Sequence, residues 1–411
     1  MARVIVIGAG IVGVCAASYL LRDGHAVTLV DPDGFGERTS KGNAGAISPG
    51  SCVPLAMPGV FKDIPGWLVD PDGPLAIRPT YLPRALPWLV RFSLAARETR
   101  IDPIADALFA LHSRVFDAYA PLIKNAGAED AIRRSGVLYL YETEASFQGS
   151  MPEVEMRRRR GVRVELLGQP EIHQLEPLVA ERFQHAMFLP EHGHTVNPHR
   201  LVNALAQQFL RDGGTFAKAA ARGFARHDGK VTGVITDAGT LNAEILVIAA
   251  GVWSRALMRM LGHDVPLESQ RGYHVMLTDP GIQPRLPVTA VEGKYFATPM
   301  EGGLRVAGTV EFGGLNAAPN WRRARVLLQQ VKQLYPTIDT SKHDEWAGHR
   351  PCLPDSVPAI GAVRGHPNVY AAFGHGHNGM TGGPPTGRAI ADLVAGRPAG
   401  FDLSPYRPDR F

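Results

Sequence analysis

Near the start of the chain, Gly8, Gly10, Gly13 and then Asp31 have the spacing of a phosphate cradle. In a G-x-G-x-x-G turn the first glycine makes the tight bend. The second admits a pyrophosphate against the backbone, and the third lets the following helix pack close to its strand. A helix opening at Ile11 and Val12 would aim free N–H groups and the positive end of its dipole at those phosphates. Asp31 closes the next apolar segment, where a carboxylate can accept hydrogen bonds from both hydroxyls of a ribose. The pattern indicates an adenine dinucleotide without choosing between FAD and NAD, so an NAD-dependent dehydrogenase is a rival reading.

A second glycine cluster makes the choice. Gly374, Gly376, Gly379, Gly382 and Gly383 lie between an apolar strand and the last helix, with His375, His377, Asn378, Met380 and Thr381 among them. So much glycine there implies a flat group lying against backbone. N–H groups at a helix start would stabilise the negative charge a reduced flavin gathers at its N1–C2=O edge, a need nicotinamide does not have. His375 and His377 read first as hydrogen-bonding groups of the turn, and no metal-ligand spacing accompanies them.

These residues need elements to hold them. Arg3–Ile7 reads as a doubly buried strand, 11–23 as a helix and Ala26–Val30 as a second strand, a complete βαβ unit. The Pro/Gly texture of 51–87 predicts irregular loops. Leu86, Leu89, Val90 and Leu94 recur at helical spacing, with their apolar face expected to be buried rather than laid on a membrane, and 104–120 predicts another helix. Further helices are expected at 199–211, 321–335 and 385–395. Strands are expected at 136–141, 231–235, 245–249, 273–277, 288–291, 295–299, 304–310 and 368–373. The alternation predicts an α/β fold: a Rossmann-like FAD-binding domain (1–50, 195–260 and 345–411) interleaved with an α+β substrate domain (51–194 and 261–344). The substrate domain should carry a mixed, mostly antiparallel sheet.

Composition narrows the class. The chain has 411 residues, 45% apolar and 20% charged, with net charge +4. No apolar run of eighteen residues predicts a membrane span. The three cysteines fit neither a disulfide framework nor a metal site. Arg157 to Arg160 reads as a solvated helix face without the interleaved aromatics of a nucleic-acid platform. With little chain ahead of Arg3 to hold a signal peptide, the expected compartment is cytoplasmic.

Beyond single motifs, Val4 to Gly13 followed by 39–50 (Thr-Ser-Lys-Gly-Asn-Ala-Gly-Ala-Ile-Ser-Pro-Gly) resembles the opening of FAD-dependent D-amino acid dehydrogenases. These belong to the wider D-amino acid oxidase, glycine oxidase and sarcosine oxidase superfamily. Residues 243–254 and 348–361 are similar to that superfamily's second flavin-contacting strand and its substrate-arginine segment. The resemblance implies that Thr39, Ser40, Asn43, Ala44 and Gly45 wrap the flavin and that Gly251 approaches it. It implies that Arg350 pairs bidentately with a substrate carboxylate and that Tyr273 bonds that carboxylate or roofs the site. It also implies non-covalent FAD, with Cys352 a packing residue.

The implied reaction is oxidative deamination of a small D-amino acid, of the D-proline/D-hydroxyproline or D-alanine kind, by hydride transfer from Cα–H to flavin N5. His375 or His274 could assist deprotonation of the amine, although water suffices. Electrons are expected to pass to a quinone or other carrier, with peripheral contact to the inner face of a membrane. The alternatives are an O2-using oxidase of glycine/sarcosine-type amines and a non-catalytic flavoprotein subunit of a heteromeric dehydrogenase.

Overall fold

The computed structural model describes all 411 residues. Its first strand, Arg3–Ile7, is apolar on both sides because both sides are covered. Val4 and Val6 face a core shared with helices Ile11–Arg22, Pro198–Arg211 and Gly379–Val394. Ile5 and Ile7 face a second core with helix Ser254–Met260 and a three-stranded antiparallel sheet formed from 221–242. The six-stranded sheet runs Thr215–Ala217, Ala26–Val30, Arg3–Ile7, Ile245–Ile248, His366–Phe373, Ala359–Val363. Its pairings are parallel except the last. The two glycine motifs therefore leave the ends of strands separated only by Ile245–Ile248, and the crevice outside strand ends is where such sheets take ligands.

A nine-stranded mixed sheet forms the second body, mostly antiparallel as expected. Its ninth member, Leu75–Ile77, joins in parallel beside Gly303–Phe312. Helix Arg322–Leu334 covers one face, burying Ala324, Leu327 and Val331 against Tyr273 and Val275.

Several expectations need correction. The sheet strand His343–Cys352 pairs with Glu268–Leu277 along its whole length, so the chain crosses between sheets after Cys352 and not at 345. Helices Glu98–His112 and Val115–Ala126, which replace one helix over 104–120, pack Leu108, Leu111 and Tyr119 into the nucleotide-fold core rather than a substrate domain. The last helix starts at Gly379, not 385. Pro384 has no N–H for the Met380 carbonyl, and the Tyr119 hydroxyl donates to that oxygen instead at 2.8 Å.

Within 51–87, expected to be loop, lie helix Val60–Val69 and the start of helix Leu82–Ala95. The second of these turns Ala85 and Trp88 inward, and the Trp88 indole donates to the Cys352 carbonyl. Of the four residues expected to be buried, Leu86, Val90 and Leu94 consequently face outward and are exposed together with Leu82, the reverse of the expectation, while Leu89 is half-buried against the Trp88 cluster. No helix is long and apolar enough to cross a membrane.

Candidate functional site

The first glycine turn has the geometry its spacing implied. Gly8 sits at φ +109°, where a Cβ would lie 2.4 Å from the Ala249 carbonyl oxygen. A Cβ at Gly13 would lie 1.9 Å from the Gly8 carbonyl oxygen, so only glycine lets the helix approach this closely. Asp31 organises the turn: one carboxylate oxygen accepts from Ala9 N–H at 2.9 Å, the other from Asp33 and Gly34 N–H. Ser40 Oγ accepts from Ile11 N–H at 3.0 Å, tying the loop at 39–45 to the helix start.

A cleft of about 590 Å³ runs past these residues. Gly8, Gly10, Ile11, Val12, Asp31, Thr39, Ser40 and Asn43 line it, and so do Gly251, Gly374, His375, Gly376, Gly379 and Met380. The two glycine motifs, far apart in sequence, thus share one cavity. Trp253 and Arg38 also line it, the guanidinium 5.4 Å from the indole centroid, and no motif in the sequence announced that pair.

Five expected flavin contacts do not line the cleft. Gly13 is spent on helix packing, and Ala44 accepts from Thr298 Oγ1 at 2.8 Å through its carbonyl. Gly45 N–H donates to Asn43 Oδ1 and its carbonyl accepts from Thr195 N–H. Asn378 caps the last helix by accepting from Gly382 N–H, and Thr381 Oγ1 accepts from Ser48 N–H.

Arg350 lies on the neighbouring sheet. On one face of the paired strands Glu268–Leu277 and His343–Cys352, three register pairs follow one another: Gln270 with Arg350, Gly272 with Gly348, His274 with Trp346. The Arg350 guanidinium donates to the carbonyls of Thr309 (3.1 Å) and Gly308 (3.4 Å). No carboxylate pairs with it. Burial pulls its pKa below the ordinary arginine value, so the site pays to keep a cation there and gains by admitting an anion. Next to it, Gln270 Oε1 lies 3.3 Å from Nε2 of His377. Gln270 and His377 were missed as a pair. Strand alternation puts Gln270 on the face of Arg350, but nothing in the sequence showed that the second glycine cluster reaches it.

Three expected roles do not match the geometry. Tyr273 follows Gly272 and so points to the opposite face, toward helix Arg322–Leu334. Its hydroxyl donates to the buried Glu311 carboxylate and accepts from Asn320 N–H, which places it away from Arg350. His274 keeps the right face, but its Nδ1 is 3.1 Å from the Gly42 carbonyl and its ring stacks on Trp346 at 5.0 Å. Burial, with the Arg305 and Arg350 charges, pushes its pKa down to about 3. His375 is bonded through Nε2 to Thr386 Oγ1 at 2.8 Å, and burial pushes its pKa down to about 3. Neither imidazole is basic enough to take a proton from an ammonium group. The Cys352 thiol is buried and its pKa is pushed up to about 12, so it stays protonated and packs against Trp88 and Phe312.

These residues suit FAD: glycine-only backbone at one motif, a cavity joining it to the other, and helix N–H groups at the start of each helix. Comparison with known proteins agrees. The family model described as FAD dependent oxidoreductase matches residues 3–393. A protein from Bradyrhizobium diazoefficiens named D-amino-acid oxidase is 39% identical, the alignment covering 100% of this chain and 99% of that one. A second from the same organism, named D-amino acid dehydrogenase, is 32% identical with the same coverage. Among solved structures, glycine oxidase from Geobacillus kaustophilus has a TM-score of 0.77 at 21% identity, with both chains covered completely, which is a likeness of fold. The chain belongs to the FAD dependent oxidoreductase family that this model describes, and FAD is its cofactor.

Proposed function

We propose that the chain oxidises a small D-amino acid to the imino acid, which hydrolyses to a 2-oxo acid and ammonia. The observation that carries this reading is Arg350, a half-buried guanidinium with no acidic partner, beside a glycine cluster that opens into the cofactor cleft. A planar guanidinium binds a carboxylate through two parallel hydrogen bonds, which fixes both position and direction. Anchored there, the substrate presents its Cα–H toward the cleft, and orientation supplies much of the acceleration. Bound FAD supplies the acceptor for the hydride that leaves Cα as the C=N bond forms. His274 and His375 do not collect the amine proton, so the substrate reacts in its neutral-amine form after losing that proton to water. D-selectivity follows the names of the relatives. A panel of D- and L-amino acids, including D-proline and D-alanine, tests it with an artificial dye: 2-oxo acid or cyclic imine should form from D-substrates. Turnover of L-amino acids alone would sink this reading.

For the second half-reaction the proposed acceptor is a quinone or carrier at a membrane surface. The support is the outward ridge Leu82, Leu86, Val90 and Leu94, with Arg84 and Arg91 exposed along its edge. Helix Val60–Val69 beside it leaves no side chain fully buried. An apolar face with a basic rim suits the interface of an anionic bilayer. The relative named D-amino-acid oxidase favours a second reading, direct reduction of O2. Peroxide release in air at the rate of dye reduction would select the oxidase.

A further inference from the structure

Resting on the proposed reaction, the geometry points to Trp346 as the residue that sets which substrate side chain is accepted. A Cβ at Gly272 would lie 2.1 Å from Arg350 Cζ, so the guanidinium lies flat over that residue. A Cβ at Gly348 would lie 1.9 Å from Trp346 Cη2, so the indole lies over the directly paired residue. Directly opposed Cβ positions in an antiparallel pair are about 5 Å apart. The charged head and the aromatic ring thus lie side by side over the two glycines. At one end Arg350, Gln270 and His377 offer polar contacts to an α-amino acid head. At the other, Trp346 stacked on His274 offers a flat apolar wall. The Trp346 ring is also pressed against the cofactor loop, since a Cβ at Gly42 would lie 2.2 Å from its Cζ2.

A substrate held by its carboxylate at Arg350 therefore sets its side chain against the neighbouring indole. The wall accepts small aliphatic and ring-closed side chains. It has no acid to hold a cationic one, and the half-buried Arg305 cation near His274 opposes it further. Bulky side chains meet the ring edge. Hence Trp346 is a specificity-determining residue, and Trp346→Ala should open the subsite while leaving the head group anchored.

The test has two arms on the FAD-loaded protein. In the first, kcat/KM is measured for D-alanine and D-phenylalanine in wild type, Trp346→Phe and Trp346→Ala. The ratio should shift at least tenfold toward D-phenylalanine in Trp346→Ala and less in Trp346→Phe. An equal loss for both substrates overturns the proposal. The second arm needs no turnover: acetate and cyclohexanecarboxylate are titrated against the flavin absorbance. Trp346→Ala should tighten cyclohexanecarboxylate relative to acetate, and an unchanged ratio counts against the subsite even where turnover is lost. Carboxylate binding without oxidation of any D-amino acid would instead reject the proposed reaction and leave the subsite standing. Flavin content and melting temperature identify a variant that has not folded.

Discussion

Gly272 is the seat of Arg350: the guanidinium carbon occupies the place where any other residue at 272 would carry its Cβ, 2.1 Å away. The cation is thereby laid flat on the sheet, with its donors turned to the Gly308 and Thr309 carbonyls and its remaining edge free for an anion. Gly272→Ala should evict it without touching the cofactor. The expected outcome is a KM raised at least tenfold with flavin content unchanged, read by steady-state kinetics and absorbance. An unchanged KM would show that Arg350 does not bind substrate from this position.

Arg350 itself predicts a graded series. Charge-assisted hydrogen bonds contribute about 1.5–3 kcal/mol each, so removing the bidentate pair should lower kcat/KM by about 10² or more. Arg350→Lys keeps the charge but not the fork, and should recover only part of the loss. Both variants should stay yellow. Full activity in Arg350→Ala would dismiss its role.

Gly13→Ala tests the other end of the site. The added methyl would lie 1.9 Å from a backbone oxygen that cannot swing away. Helix Ile11–Arg22 would have to shift off its strand, taking the Val12 N–H group and the Ile11–Ser40 tie with it. A colourless or insoluble product is expected, and a stable yellow one would contradict the packing argument.

Much of this was legible because local rules and global fold agreed. Gly8, Gly10, Gly13 and Asp31 encode their turn within one βαβ unit, and the second glycine cluster marked its own position before the last helix. What was not legible depended on sheet pairing. Tyr273 and His274 are neighbours in sequence, and only the strand's facing decides that one belongs to the core and the other to the site. Gln270 and His377 meet because two distant strands and a loop converge. The helices at 60–95 were obscured by Pro65 and Pro87, which usually end helices but sit inside these two. Their apolar spacing was visible, but spacing alone does not say which way a ridge points.

That ridge carries its own prediction. Leu86→Glu with Val90→Glu alters side chains already exposed, so melting temperature and dye-linked turnover should hold. Sedimentation with anionic phospholipid vesicles should fall several-fold, as should reduction of vesicle-embedded quinone. Equal sedimentation of wild type and variant would remove the membrane surface from the account.

Buried neutral histidines predict the response to acid. Burial pushes His112 down to about 4 and His192 and His375 down to about 3. An unfolded chain takes up these protons near pH 6.5, whereas the folded chain refuses them until pH 3–4. Their contribution to stability is therefore complete above about pH 6.5 and is lost as the pH falls from there, at up to about 1.4 kcal/mol per unit for each histidine. The melting temperature should drop between pH 7 and pH 5, and His112→Gln should flatten the drop. Identical slopes for the two proteins would exclude the buried imidazole as a cause.

The central claim, that Arg350 presents a D-amino acid to FAD, is tested most directly by anaerobic mixing of the purified protein with paired enantiomers. Flavin absorbance is followed for wild type and Arg350→Ala. The account predicts rapid bleaching of wild type by the D-enantiomer of at least one small amino acid, none by its L-partner, and bleaching slowed by about 10² or more in the variant. Bleaching that ignores the enantiomer, or that proceeds equally fast without Arg350, would contradict it.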